Sequence, residues 1–312
     1  MSSNKDNTLP HKSVMLHELL ASLAPKDNEV YIDCTFGAGG HSTAILKTSN
    51  CIVYGIDRDK TVEKFTNKLK EEFPKRFHFI NGKFGNLENL LKQQNIGKVD
   101  GIILDLGVSS MQLDEGPRGF SFQKKARLDM RMGSGTLNAY DVVNKSQESH
   151  LADILYNYGD EVKARQIAKA IIEKRKKKPI ETTTELASIV REFYPKASKT
   201  KIDPATKTFQ AIRIFVNDEL EELTKVLNAS INVLKKGGRL VVITFHSLED
   251  KIVKDFMRRE SGYSERKISK YKEKTETFNF TLGVKKAIAP SDEEILDNIR
   301  SRSAKLRYVI KN

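Results

Sequence analysis

Short β-rich runs alternate with helical patterns through the first hundred residues, and this alternation limits the chain to a parallel sheet covered by helices. The strand-type runs are 30–35 (VYIDCT), 51–57 (CIVYGID), 77–81 (FHFIN) and 99–107 (VDGIILDLG), and helical patterns begin near His41, Lys60 and Leu87. A doubly wound α/β fold follows. Past Gly107 the stretch SSMQLDEGPRGFSFQKKARLDMRMGSG carries many glycines and charges without a sustained apolar period, so it reads as a long functional loop. Helical patterns then dominate 139–194, until a buried-type strand returns at 239–245 (RLVVITF) directly after KKGG. The sheet is therefore expected to be interrupted: residues 1–109 supply its first part, 110–205 an inserted helical domain, and 206–312 its second part. The closing SRSAKLRYVIKN alternates as a last strand, expected antiparallel at the sheet edge.

In an open α/β sheet, ligands bind beyond the carboxyl ends of the strands, near the point where strand order switches. That puts the turn 33–41 (DCTFGAGGH) in the site. Gly37, Gly39 and Gly40 remove side chains where the backbone turns sharply and where a ligand approaches it. Asp57 ends the second strand 20 residues after Gly37, a spacing that suits a carboxylate accepting both hydroxyls of a ribose. An adenosine cofactor is implied. A nicotinamide enzyme would show GxGxxG, but counting from Gly37 the third glycine is replaced by Ser42. The segment LKKGGRLVVITFHS, read as a helix ending in a Gly-Gly turn that feeds the fifth strand, resembles class I methyltransferases. S-adenosylmethionine is then the expected cofactor. Phe84 follows the third strand and either flanks an adenine or fills the core. Asp105 ends the fourth strand, where it either polarises an exocyclic amine or binds the amino group of the cofactor.

The 312 residues carry 54 Lys+Arg against 41 Asp+Glu, a net charge of +13 that favours a polyanionic partner such as RNA, DNA or an acidic membrane. No run approaches the roughly 20 apolar residues of a membrane span, and MSSNKDNTLPHKS lacks the apolar core of a signal peptide, so an unexported, cytoplasmic chain is expected. Cys34 and Cys51 fall in apolar runs without CxxC spacing or neighbouring histidines, which fits buried thiols and gives no support to a metal site. A helix over 162–178 sets Ala164, Ile167, Ala168 and Ile171 on one side and Arg165, Lys169 and Lys176 on another, either a phosphate-binding face or a solvated one. Asp203 followed by Pro204 reads as the N-cap and first residue of the next helix. Arg213 and Asn217 are polar residues in an otherwise apolar run, suited to a substrate pocket or to a buried structural network. His246 and Ser247 follow the fifth strand, where they line a substrate pocket, cap a helix or, for the histidine, sit satisfied in the core.

Taken together, YIDCTFGAGGHS, GIDRD, DGIILDLGVSSMQLD, RGFSF, LDMRM, TFQAIRIFVNDEL and FHSLEDKIVK closely resemble the bacterial 16S rRNA cytosine-N4 methyltransferase family called RsmH or MraW. The resemblance covers nearly the whole chain. It implies the Rossmann-like doubly wound sheet of a class I S-adenosylmethionine-dependent methyltransferase, and methylation of a cytidine amine in the decoding region of the small ribosomal subunit. It also implies cofactor contacts at Gly39, Gly40, His41, Asp57, Phe84, Asp105 and Gln112. For His41 the pattern alone suggests a helix cap or a surface residue, so its cofactor role rests on the resemblance. The Pro-Pro-aromatic that follows the acidic residue in the wider amino methyltransferases is replaced here by Leu106, Gly107 and Val108. Two other readings stand beside this one: a nicotinamide-dependent oxidoreductase, and an RNA-binding protein that has kept the fold without the catalysis.

Overall fold

Runs of valine, isoleucine and leucine with few polar residues are satisfied only as strands covered on both faces. The computed structural model, which describes residues 13–108, 112, 118–194, 203–263 and 277–312, places such runs in β1 (Val30–Asp33), β2 (Ile52–Asp57), β3 (Phe77–Asn81), β4 (Val99–Asp105) and β5 (Leu234–Thr244). With β6 (Phe280–Leu282) and β7 (Lys305–Lys311) they make a seven-stranded sheet of order β3-β2-β1-β4-β5-β7-β6. The first five strands run parallel, and β7 is antiparallel to both β5 and β6. Ile102, Ile103 and Leu104 of β4 and Leu240 to Ile243 of β5 are fully buried, which makes these two strands the core of the sheet.

Two expectations are corrected. The last strand is antiparallel but not at the edge, because β6 pairs with its outer side. The KKGG segment is not a turn between helix and strand. Pairing starts at Leu234 opposite Val99, shifts register at a bulge where Gly237 has φ of 81°, and resumes at Arg239 opposite Gly101.

The helices of the sheet unit are α1 (Leu16–Leu23), α2 (Gly40–Thr48), α3 (Glu63–Glu72) and α4 (Leu87–Gln93). A helical segment intervenes: α5 (Ala139–Lys145), α6 (Glu148–Gly159), α7 (Ala164–Lys177), α8 (Thr183–Arg191) and α9 (Ala205–Asn217). The sheet unit resumes with α10 (Glu219–Val233), α11 (Ser247–Glu260) and α12 (Asp292–Asp297). The chain divides into two compact units, Met1–Gly107 with Leu220–Asn312, and Val108–Glu219.

The helical unit closes around Leu151, Leu155, Ile167, Ile171, Leu186, Val190, Phe209 and Ile212. Its far boundary falls at 219 rather than the expected 205, and the packing explains the difference. The apolar stripe Ala205, Phe209, Ile212 and Val216 of α9 belongs to this core. Asp203 Oδ1 accepts from Ala205 N at 2.9 Å, and Pro204 already has helical φ and ψ, so α9 begins as its sequence suggests. Part of the loop after Gly107 lies outside the described residues. In the described part, Phe120, Leu128, Met130 and Met132 anchor irregular backbone in the helical core.

Candidate active site

The parallel order brings the carboxyl ends of β1 to β4 to one rim, and the glycine-rich turn after β1 lies there. Gly37 and Gly39 have φ of 53° and 77°, in the left-handed region that side chains disfavour. A Cβ on Gly39 would also lie 2.8 Å from the Phe36 ring, which stacks on Phe77 with centroids 5.2 Å apart. Helix α2 starts at Gly40 with no side-chain cap, so its first N–H groups keep their positive end for a ligand.

Three carboxylates gather here. Asp57 accepts from Gly37 N at 2.9 Å on Oδ2 and from Asp59 N at 2.8 Å on Oδ1, and each oxygen keeps further acceptor capacity. Burial pushes its carboxyl up to about 6 against those two hydrogen bonds, with Asp59 and Asp33 adding to the rise. Asp33 accepts from Ser42 Oγ at 2.7 Å and from Thr35 N at 3.1 Å; burial raises it too. Asp105 differs from both. Its backbone N donates to Thr35 Oγ1 at 2.7 Å, yet its Oδ1 is buried without a hydrogen-bond partner. Burial lifts Asp105 to about 6; His41 opposes the rise, while Asp33, Glu249 and Glu294 add to it.

His41 is buried, with Nε2 3.0 Å from the Val14 carbonyl and Nδ1 3.7 Å from Asp105 Oδ2. It is therefore not a helix cap or a surface residue. Phe84 opens a short 3-10 turn after β3 and packs half-buried against the sheet core. Gln112, in the helical unit, is buried. Asp33, Thr35 and the Val14 carbonyl were not among the residues singled out from the sequence. Asp33 opens the DCTFGAGGH motif, but its part in the charge of the rim depends on a burial that sequence spacing does not reveal.

Among the residues expected to meet the substrate, His246 is the N-cap of α11. Its Nδ1 accepts from Glu249 N at 3.5 Å, and Glu249 Oε2 accepts from Phe245 N and His246 N. Its Nε2 lies 3.1 Å from Glu249 Oε1 but out of line for a hydrogen bond, leaving that buried nitrogen unsatisfied. Ser247 is exposed as the first residue of α11. Arg213 and Asn217 are both hydrogen-bonded within the helical unit. The Arg213 guanidinium makes two 2.8 Å bonds to Glu219, and buried Asn217 accepts from Met132 N at 2.8 Å while donating to Met130 O at 2.8 Å and Arg213 O at 2.9 Å.

Elsewhere, Cys34 and Cys51 are free and buried, and no group of three metal-ligating side chains occurs among the described residues. No described helix is long and apolar enough to cross a membrane.

S-adenosylmethionine carries a sulfonium and an ammonium on an adenosine, and the residues present fit it. Asp57 retains acceptor capacity for a ribose, the uncapped N-terminus of α2 offers N–H groups, and the orphaned Asp105 Oδ1 calls for an N–H donor. A rim holding buried Asp33 and part-buried Asp57 and Asp105 attracts a cation and disfavours the pyrophosphate of a nicotinamide dinucleotide.

The chain is similar to two proteins called ribosomal RNA small subunit methyltransferase H. One, from Ehrlichia chaffeensis, is 50% identical over 304 residues, covering 96% of this chain and 99% of that protein. The other, from Rickettsia africae, is 52% identical over 303 residues, covering 95% and 96%. A solved rRNA methylase from Streptococcus thermophilus aligns over 95% of this chain and 94% of its own, at 12% identity and a TM-score of 0.42. The model of the MraW methylase family matches residues 8–312, so the chain belongs to that family and its cofactor is S-adenosylmethionine.

Proposed function

We propose that the protein methylates the exocyclic N4 amine of a cytidine in the decoding region of 16S rRNA, acting in the cytoplasm on the small ribosomal subunit. The names of the relatives support an rRNA substrate, and the unpartnered Asp105 Oδ1 carries the chemistry. When bound, S-adenosylmethionine supplies an electrophilic methyl group.

The chain's own residues do the rest. Asp57 would hold the ribose hydroxyls, Phe84 would flank the adenine, and the α2 N-terminus with Gly39 and Gly40 would receive the methionyl part, while a cofactor role for Gln112 rests on the family resemblance alone. An exocyclic amine is a weak nucleophile because its lone pair is delocalised into the ring. A buried acceptor that hydrogen-bonds its N–H localises that lone pair, and holding the nitrogen in line with the methyl supplies much of the remaining rate. Asp105 Oδ1 is that acceptor, and His246 Nε2 at the end of β5 offers a second polar atom to the base. Exposed Arg165 and Lys169 on α7 are suited to phosphates, which hold RNA by charge.

The test is transfer of labelled methyl to small subunits from cells lacking the modification, with free rRNA and DNA as controls, followed by nucleoside analysis. Label in N4-methylcytidine from subunits is the expected result. Label in any other nucleoside rejects the assignment.

A further inference from the structure

A strap of three residues, Ser13 to Met15, precedes α1 and lies against the first turn, where a Cβ on Gly40 would meet Ser13 Oγ at 2.0 Å. Met15 is buried with φ of 51° and donates its N–H at 2.7 Å to Glu294 Oε1 on α12, 279 residues away. The preceding carbonyl, Val14 O, meets His41 Nε2 at 3.0 Å. A carbonyl only accepts, so the hydrogen sits on Nε2 and the ring turns Nδ1 to Asp105, 3.7 Å from Oδ2. An unprotonated Nδ1 would set its lone pair against a carboxylate. A proton on Nδ1 turns that contact into an ion pair and counters the negative charge of Asp33, Glu249 and Glu294 around Asp105.

We infer that His41 and Glu294 are positioning residues for Asp105: Glu294 fixes the Met15–Val14 strap, the strap aims the imidazole, and the imidazolium keeps Asp105 ionised as a proton acceptor. This rests on the reading that Asp105 faces the substrate amine. In that step the N4 lone pair forms the new N–C bond as the methyl–sulfur bond breaks with its electrons left on sulfur. The proton that N4 sheds passes to Asp105 Oδ1, and it goes to water as product leaves. His41 thus has a role distinct from holding the cofactor.

The test begins without cofactor or RNA, so it stands apart from the identity of the methylated base. The Asp105 carboxyl is titrated by carbon NMR in the full chain and in variants shown by circular dichroism to be folded. His41→Asn, or His41→Gln if the first does not fold, removes the cation and moves the titration to higher pH by about 1 pH unit. Glu294→Gln keeps an acceptor for Met15 N–H but loses a negative charge, and moves it to lower pH. Glu294→Ala releases the strap and moves it to higher pH, as His41→Asn does.

A titration that stays in place in His41→Asn, or one that moves down in both Glu294 variants, overturns the inference. With subunits added, the acid limb of kcat against pH should follow the same three shifts. A limb that ignores shifts seen by NMR means that Asp105 does not accept the amine proton, and the reading of the substrate end fails while the His41–Asp105 pair stands.

Discussion

Two buried polar clusters in this chain look alike in sequence and differ in how completely they are paired. At the rim of the sheet unit, Asp57 and Asp105 are pushed up to about 6 by burial, and Asp105 Oδ1 has no partner. In the helical unit, both ends of the Asn217 amide are bonded to backbone, and Arg213 meets Glu219 with two bonds. A fully paired cluster stabilises the fold it sits in. A cluster with an unpaired, desolvated charge destabilises its own fold, and it persists where a ligand completes it. Removing a member should therefore have opposite signs in the two places.

The largest effect is expected at Asp57, whose two proposed ribose contacts would be charge-assisted and together worth about 3 kcal/mol or more. Asp57→Ala should weaken S-adenosylmethionine roughly 100-fold or more in calorimetry. Unchanged affinity would place the ribose elsewhere and dissolve the contrast. Next is Asn217→Ala, which strands the Met132 N–H and the Met130 carbonyl in a buried setting and should lower unfolding stability by about 2 kcal/mol in denaturant titration. Cofactor affinity should not move. A loss of affinity with stability intact would return Asn217 to the substrate pocket.

The sequence made the sheet far more legible than the side-chain network around the site. Strands β1 to β4 could be placed within a residue or two because runs such as GIILD have no other way to bury themselves. The place of β7 inside the sheet was hidden because β6 is three residues long and its register is set by pairing, not by its own pattern. Asp57 was legible because a fixed spacing from Gly37 reflects one geometry, in which Gly37 N binds its carboxylate. His41 was not. Its partners are Val14, 27 residues before it in the chain, and a carboxylate brought alongside only when β4 joins β1. Asn217 and Asp105 are both polar residues in apolar surroundings, and only the count of satisfied hydrogen bonds separates structural glue from working group.

Asp105→Asn tests the sign directly. A carboxylate near 3.9 in the unfolded chain and about 6 in the fold binds more protons when folded, so stability falls as pH rises between those values and is flat above them. The side chain is 17% exposed, which reduces the cost of the buried charge to about 2 kcal/mol at pH 7. Asp105→Asn should recover that amount at pH 7 and nothing below about pH 4. Kinetics divide its two possible tasks. A fall in kcat with cofactor affinity held assigns Asp105 to the amine, whereas a matching rise in cofactor Kd assigns it to the ammonium of S-adenosylmethionine.

The smallest expected effect is Arg213→Lys, and it sharpens the other half of the comparison. Lysine keeps the charge toward Glu219 but replaces a planar fork by a single point donor, so one of the two 2.8 Å bonds is lost. Arg213 and Glu219 side chains are 14% and 11% exposed, so the pair is neither a free surface bridge nor a fully desolvated one. Water reaches part of what the lysine leaves unpaired, which limits the loss of stability to about 1 kcal/mol. Cofactor affinity should be untouched, and methylation of small subunits should fall no further than the unfolded fraction explains. A drop in kcat beyond that fraction, with the melting curve unchanged, would show Arg213 meeting the RNA and would undo its assignment to the scaffold.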